Sequence, residues 1–387
     1  MDRIKEYAQS MQEYCVQLRR DLHRWPELSG EESRTVRRIC EELTAMGLPY
    51  EVVDGNVIAW SGQEGAGGLA IRADFDALPL IEAKESDYCS QVPGKMHACG
   101  HDAHTAILLG TAKLLAGHRE LLPGPVYFCF QKGEEIGLGA PEIVAWLKEH
   151  TGVTNAIGLH VEPAFATGEM GLYDREACAG AMGWELTIHG RGGHGSQPAM
   201  TIDPIKPLCE ILPRFSALPS NRTDPFSPLT VTPCLIQAGT SGNIIPETAF
   251  AKGTARFYSN EVGEAARQMM ADIAADISRS YGATAEFSVP GGLAAPVLNT
   301  PELAALGRKA AAACGLKLVR HTPMMASDNF SCFLQAFPGF YAFLGVGDPS
   351  RGITVPHHNP KFDLDEAALG LGVEFFLRSI RELIPTA

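Results

Sequence analysis

The sequence predicts an α/β protein: a three-layer, mostly parallel-sheet domain with a ferredoxin-like α+β domain inserted into it. Three observations predict it. Short apolar runs alternate with helical-period segments over residues 1–180, the pattern of a largely parallel sheet covered by helices. From about Ala181 the order becomes strand-helix-strand-strand-helix-strand, that of a small α+β sandwich. After Pro290-Gly291-Gly292 the α/β alternation resumes. A chain of 387 residues also exceeds the size at which one core stops growing, so two domains are expected. The expected division is 1–180, 181–290 and 291–387, the outer two segments forming one domain around the insert.

Residues 1–45 carry apolar positions at helical spacing in Ile4, Met11, Val16, Leu18 and Leu22, and again in Val36, Ile39, Cys40 and Leu43. Trp25-Pro26-Glu27 separates the two runs, because proline disfavours helix at the residue before it. Strands are expected at Tyr50–Val53 and Val57–Ala59. Leu69–Asp74 is an apolar strand that ends in charge. Ala103–Ala116 is an apolar-striped helix. Gly124–Phe130 is a second buried strand, with Glu134 and Glu135 beyond its end. Ala156–Val161 is a third, delivering His160. Ligands of such sheets bind beyond the carboxyl ends of strands, so Asp74, Glu134, Glu135 and His160 aim at one edge. In the insert, Trp184–His189, Leu229–Gln237, Ala249–Tyr258 and Thr284–Val289 read as strands. Pro204–Leu218 and Glu261–Tyr281 read as helices. Helix Pro301–Cys314, a loop around Ser327-Asp328-Asn329, strand Gly339–Leu344 and a final helix complete the chain.

Composition narrows the function. With 32 basic and 45 acidic side chains the net charge is −13, and no dense Lys/Arg run occurs. That argues against nucleic acid or an anionic membrane as partner. No stretch of 18 apolar residues is present, so no transmembrane helix is expected. The polar start Met1-Asp2-Arg3-Ile4-Lys5-Glu6 shows no export signal. Ten cysteines lie scattered without a C-x-x-C pair, which predicts reduced thiols in a cytoplasmic protein.

The chemistry concentrates in Met96-His97-Ala98-Cys99-Gly100-His101-Asp102-Ala103-His104. Cys99 and His101 stand two apart in a glycine-containing loop, so both reach one cation, and a thiolate with an imidazole suits Zn²⁺, Mn²⁺, Co²⁺ or Ni²⁺. His97 and His104 are expected to pack or to orient ligands. Two other readings of the segment stand beside this one. One is a helix start with incidental histidines; the other is a Cys99 nucleophile activated at that start, which leaves the two glutamates without a role. Glu134 and Glu135 follow a strand apolar enough to be buried; such a pair divides labour, one binding metal and one moving a proton. His160 is either a core histidine or a ligand. His357-His358 lies between two prolines and is undiagnostic by itself.

At these residues the chain resembles the di-metal aminoacylase/carboxypeptidase family of metallopeptidases, in its amidohydrolase branch. That branch includes hippurate hydrolase, N-acyl-amino-acid amidohydrolases and indoleacetyl-amino-acid hydrolases. The resemblance runs nearly end to end. It rests on His23–Leu28, Arg72–Pro79, Met96–His104, Glu134-Glu135, Gly158-Leu159-His160, Gly190–His194, Gly242–Pro246 and His358-Asn359-Pro360.

The resemblance implies a metal-dependent hydrolase that cleaves the amide bond of N-acyl amino acids, such as acetyl or benzoyl conjugates. It implies two divalent metal ions, Zn²⁺ or Mn²⁺ with Co²⁺ or Ni²⁺ as alternatives, held by Cys99, His101, Glu135, His160 and His358. Glu134 matches the general acid/base. Asp74 matches an aspartate behind the site that orients a ligand. His194 matches a histidine that reaches a second subunit's site and stabilises the oxyanion. Asn243 and Arg256 match positions that hold the substrate carboxylate. The insert matches a lid through which two copies form a homodimer. A dipeptidase or carboxypeptidase of the same family, and a non-catalytic relative that binds conjugates, are the alternatives. The chain departs from the branch in two places. Lys132-Gly133 stands where the branch has Pro-Ala, and Ser327-Asp328-Asn329-Phe330 where it has Gly-Glu-Asp-Phe. Both bear on substrate preference.

Overall fold

The structure, a computed structural model, describes residues 3–62, 67–221, 224, 226–320 and 323–384. The chain divides into two compact units. The first comprises Met1–Ala177, Leu298–Thr322 and Asn329–Ala387; the second comprises Cys178–Val297 and Pro323–Asp328.

The first unit opens with helices α1 (Arg3–Ser10), α2 (Gln12–Arg24) and α3 (Ser33–Met46), followed by strands β1 (Tyr50–Val53), β2 (Asn56–Ser61) and β3 (Gly68–Asp74). Then come α4 (His101–Gly117), β4 (Val126–Gln131), α5 (Ala140–His150), β5 (Val153–Ala166) and β6 (Glu169–Gly171). Strand β7 (Glu176–Cys178) falls where the chain leaves this unit.

After the insert the chain contributes α8 (Pro301–Ala313), α9 (Ser331–Ala336) and α10 (Ala368–Leu383), with short strand β16 (Lys317–Leu318) and long strand β17 (Gly339–Gly347). One sheet of eight strands results, in the order β1-β2-β4-β3-β5-β17-β6-β16. Its centre is parallel, through the pairs β4/β3, β3/β5 and β5/β17. Antiparallel pairs flank that centre.

Strand alternation explains the three layers. Leu69, Ile71 and Ala73 of β3, Val126, Phe128 and Phe130 of β4, and Phe340, Ala342, Leu344 and Val346 of β17 point into one core. That core also takes residues from α1, α2, α3, α4, α8 and α10. Helix α4 has 14 of its 17 residues buried, so it is covered on all sides rather than along one stripe. The intervening residues Arg72, Tyr127, Cys129 and Tyr341 face the other layer. There α5 packs on β1 and β4, and Phe330 stacks on Tyr341 with ring centroids 5.0 Å apart. Helix α5 was not expected from the sequence; neither was α9, which follows the loop expected around Ser327-Asp328-Asn329. Strand β5 runs past Val161 to Ala166 because β17 continues to pair with it.

The second unit contains β8 (Gly180–His189), β9 (Gly193–His194), α6 (Ile205–Asn221), β10 (Leu229–Ala238) and β11 (Ile244–Ile245). It continues with β12 (Thr248–Phe257), α7 (Asn260–Ser280), β13 (Thr284–Ser288) and β14 (Leu293–Ala294). Strand β15 (Val297–Leu298) marks the chain's return to the first unit. The sheet is antiparallel in the order β10-β12-β8-β13, which with α6 and α7 as crossovers is a ferredoxin-like topology. Met182, Trp184, Leu186 and Ile188 alternate inward along β8 and meet α6 and α7 in a separate core. Among the described residues no helix is long and apolar enough to cross a membrane.

Candidate metal centre

The polar side chains of interest in the first unit leave the sheet from segments that regular structure cannot continue. Loop Met96–Gly100 ends at Gly100, whose φ of +90° suits glycine; a Cβ there would lie 2.3 Å from Val161 Cγ2. Helix α4 starts at the next residue, His101. Its neighbour Asp102 is held from behind by Arg19 Nε at 2.9 Å and His23 Nδ1 at 2.7 Å. Beyond β4, Gly133 at φ +61° and Gly137 at φ +78° bracket a single turn that carries Glu134 and Glu135. A Cβ on Gly133 would sit 2.9 Å from Leu138 Cβ, so the departure from the branch's alanine is built into this backbone. Its neighbour Lys132 pairs with Asp54 at 3.0 Å. His160 lies just past Gly158, the last residue of β5 in register with β3. His358 takes φ +59°, and its N–H donates to Ala98 O at 2.8 Å, tying it to the Cys99 loop.

These segments converge. Cys99 Sγ is 3.5 Å from His160 Nε2. His160 Nδ1 donates to Val161 O at 2.7 Å, which leaves the Nε2 lone pair facing the thiol. His101 Nδ1 faces Asp76 O and Oδ1, each at 3.0 Å, so Nε2 carries the lone pair. That Nε2 is buried without a hydrogen-bond partner, 3.9 Å from Glu135 Oε1. Glu135 Oε1 is in turn 3.2 Å from His358 Nε2. Among the described residues four sets have all their ligand atoms within 4.8 Å of one another: Cys99, His101 and His160; Asp74, His101 and His104; Cys99, Glu135 and His358; and His101, Glu134 and Glu135.

A buried imidazole nitrogen facing a buried carboxylate oxygen is costly unless a proton or a metal cation lies between them. The donor set, one thiol with imidazoles and carboxylates, fits borderline divalent cations. Burial pushes the Cys99 thiol well above its usual range despite the nearby His101. Burial also holds His160 neutral, with His104 and His357 adding to the effect. Burial pulls His101 down, but the carboxylates of Asp74 and Asp76 and the Cys99 sulfur outweigh it and raise it well above the ordinary value.

Asp74 lies behind the site, with Oδ2 3.6 Å from His101 Nε2, but its hydrogen bond is to His104. Its Oδ1 accepts from His104 Nδ1 at 2.6 Å, and His104 Nε2 accepts the Val161 N–H at 2.9 Å, so both His104 nitrogens are engaged. The carboxylate that orients His101 is Asp76, whose other oxygen accepts from Ser29 Oγ at 2.7 Å and Glu135 N–H at 3.0 Å. The reason lies at the strand's end: β3 stops at Asp74, which meets His104 one turn into α4, while Asp76, two residues beyond, meets His101 at the helix's first residue. Sequence reasoning passed over Asp76 although its two-residue spacing from Asp74 was visible. Burial opposes ionisation of Asp74, but Arg72 at 2.8 Å and the two imidazoles hold it well below the carboxylate range. His357, buried and brought down to about 3, points Nε2 at Val161 O, 2.9 Å away.

His194, Asn243 and Arg256 belong to the second unit. His194 is paired with Ile244, and Asn243 O accepts from Gly195 N–H at 2.9 Å, so His194 and Asn243 are neighbours. His194 Nδ1 accepts the Ser196 N–H at 3.1 Å, placing the ring proton on Nε2. Arg256 donates to Thr254 and Ala255 of its own strand.

Fold and site together define a metal-dependent hydrolase, and comparison with known proteins narrows the class. The model of peptidase family M20/M25/M40 matches residues 70–382. Thermostable carboxypeptidase 1 of Saccharolobus solfataricus is 33% identical over 96% of each chain. N-acetylcysteine deacetylase of Bacillus subtilis is 34% identical over 93% of this chain and 94% of its own. The crystal structure of Bacillus subtilis YXEP, a dinuclear metal binding peptidase from the M20 family, superposes with a TM-score of 0.83 at 32% identity, covering 96% of this chain and 98% of that one. The chain belongs to the M20/M25/M40 peptidase family.

Proposed function

We propose that this protein hydrolyses the amide bond of N-acyl amino acids. The observation that carries the reading is the convergence of Cys99, His101, Glu135, His160 and His358 in sets within 4.8 Å, with Glu134 inside one of them. We assign those five residues to two divalent cations, Zn²⁺ or Mn²⁺, and the likeness to a dinuclear relative supports two. When bound, such cations polarise a carbonyl and bring the pKa of a water towards about 7. Glu134 takes the proton of the attacking water and returns it to the departing amine. His194 of a second copy, with its proton on Nε2, donates to the carbonyl oxygen as charge develops there. Asn243 and Arg256 receive the substrate carboxylate, for which a guanidinium offers a planar fork.

The test is Glu134→Ala assayed on acetyl and benzoyl amino acids beside unblocked dipeptides. The proposal expects the metal-loaded variant to lose about 10²–10⁴-fold in kcat. Turnover at the parental rate would falsify the assignment. The relative named as a deacetylase of N-acetylcysteine favours blocked substrates. The relative named as a carboxypeptidase favours the second reading, which a preference for unblocked dipeptides would establish.

We read the second unit as a lid and dimerisation domain. Its edge strand β10 exposes Ile236 at 59%, and β11, paired with β9 in a separate ribbon, exposes Ile244 at 54%, as surface for a second copy. Mixing His194→Ala with Glu134→Ala subunits then restores activity through heterodimers; no recovery despite proven subunit exchange counts against a shared site. No disulfide joins any of the ten cysteines, all of them among the described residues, which supports a cytoplasmic location, testable by fractionation.

A further inference from the structure

We infer that Asn329 is a positioning residue for Glu134; the inference rests on the reading of Glu134 as proton carrier. The backbone N–H of Asn329 donates to Glu134 Oε1 at 3.1 Å. The side chain of Asn329 is fixed on three sides. Its Oδ1 accepts from Arg72 at 3.1 Å and from Gln131 Nε2 at 2.7 Å, and its Nδ2 donates to Leu138 O at 3.0 Å. Arg72 and Gln131 are themselves buried at the ends of β3 and β4 and joined by a 2.7 Å hydrogen bond from Nε to Oε1. Leu138 lies just beyond the turn that carries Glu134. The amide therefore ties two strand ends and the exit of that turn to the peptide whose N–H meets the carboxylate.

The turn needs such an anchor. Gly133, Gly137 and Gly139 all have positive φ, at +61°, +78° and +85°, so a single 3₁₀ turn, Glu134–Ile136, and no α-helix or strand carries Glu134. An asparagine meets the geometry because its Oδ1 accepts from Arg72 and Gln131 while its Nδ2 adds a second donor to Leu138 O, which Gln131 Nε2 also reaches at 2.8 Å. Aspartate keeps the acceptor, gains charge against Arg72 and loses the donor.

The experiment compares Asn329→Ala, Asn329→Asp and the parent, each also in the Glu134→Ala background. It measures kcat, KM, metal content per chain and the thermal midpoint. A misplacement of order 1 Å costs about 10²-fold in rate, so Asn329→Ala is expected to lose roughly 10–100-fold in kcat. KM and metal content stay at parental values, and Asn329→Asp recovers most of the loss. In the Glu134→Ala background Asn329→Ala slows the residual rate no further, because the two act as one unit. Should Asn329→Ala fail to fold, Asn329→Ser carries the same expectations. An unchanged kcat, a parallel loss of metal, or an equal further loss without Glu134 overturns the inference. Parental activity of Glu134→Ala alone overturns instead the reading on which it rests.

Discussion

Asp76→Asn removes one charge and no volume, so it isolates what the Asp76 carboxylate does. Asp76 Oδ1 accepts from His101 Nδ1, and Oδ2 accepts from Ser29 Oγ and Glu135 N–H. An amide satisfies only one side of that arrangement. With its NH₂ towards Glu135, two N–H groups face each other at a peptide held 3.0 Å away. The Ser29 hydroxyl rotates to accept, but the backbone does not. With its NH₂ towards His101, the imidazole must move its proton to Nε2, the buried nitrogen that faces Glu135. Either arrangement weakens one proposed ligand. Loss of such a supporting partner typically costs 10–100-fold in metal affinity, about 1.4–2.7 kcal/mol. Chelator competition on parent and variant, monitored by a Zn²⁺-sensitive dye, gives the ratio directly. Melting of the metal-stripped proteins controls for folding. If Asp76→Asn binds Zn²⁺ within twofold of the parent while His101→Ala does not, Asp76 has no supporting role and the reasoning fails.

Two further outcomes follow from the same geometry. Gly100→Ala forces a side chain into a left-handed backbone and against Val161, 2.3 Å away, so it is expected to cost about 1–3 kcal/mol for the backbone alone and to lower metal content. Urea unfolding checks this, and an unchanged midpoint contradicts it. Asp363 receives Lys84 Nζ at 3.0 Å and Arg19 at 3.5 Å. Burial opposes its ionisation, but these cations hold its carboxyl below the usual range. An acid depressed in the folded state stabilises fully above its unfolded pKa of about 3.9 and loses that contribution as pH falls through the folded value. The melting-temperature gap between parent and Asp363→Asn is therefore present at pH 7 and closes below about pH 4; an equal gap at pH 3 rules this out.

The sequence made the parallel centre of the sheet legible because β3, β4 and β17 are buried on both faces and read as unbroken apolar runs. The polar residues at their ends stood out for the same reason. Helix α5 escaped because Gly137-Leu138-Gly139 reads as a loop, although Pro141 in its first turn is a helix-start signal. His358 was undiagnostic locally because its position depends on a positive φ and on a hydrogen bond to Ala98, some 260 residues earlier in the chain. Asp74 was matched through the resemblance while Asp76 went unweighed, since spacing does not show which imidazole each carboxylate meets.

That last limit points to how the candidate site is built. The turn bearing Glu134 and Glu135 has no regular ladder to define it, yet it is held from three directions. Glu32 Oε1 accepts the Gly133 N–H at 2.8 Å, Asp76 accepts the Glu135 N–H at 3.0 Å, and the Asn329 N–H meets Glu134 Oε1 at 3.1 Å. The three anchors come from the start of α3, the end of β3 and the approach to α9, segments distant in sequence. Two of them grip backbone amides, which fixes the peptide path; the third grips the carboxylate itself. An irregular turn pinned in this way combines the open backbone a reactive carboxylate needs with the rigidity that positioning requires. It follows that rate should be sensitive to residues that touch neither cation nor substrate, and Asn329 and Asp76 separate the two kinds of sensitivity. One acts through the Glu134 carboxylate and should alter kcat, whereas the other acts through the proposed ligands His101 and Glu135 and should alter metal affinity.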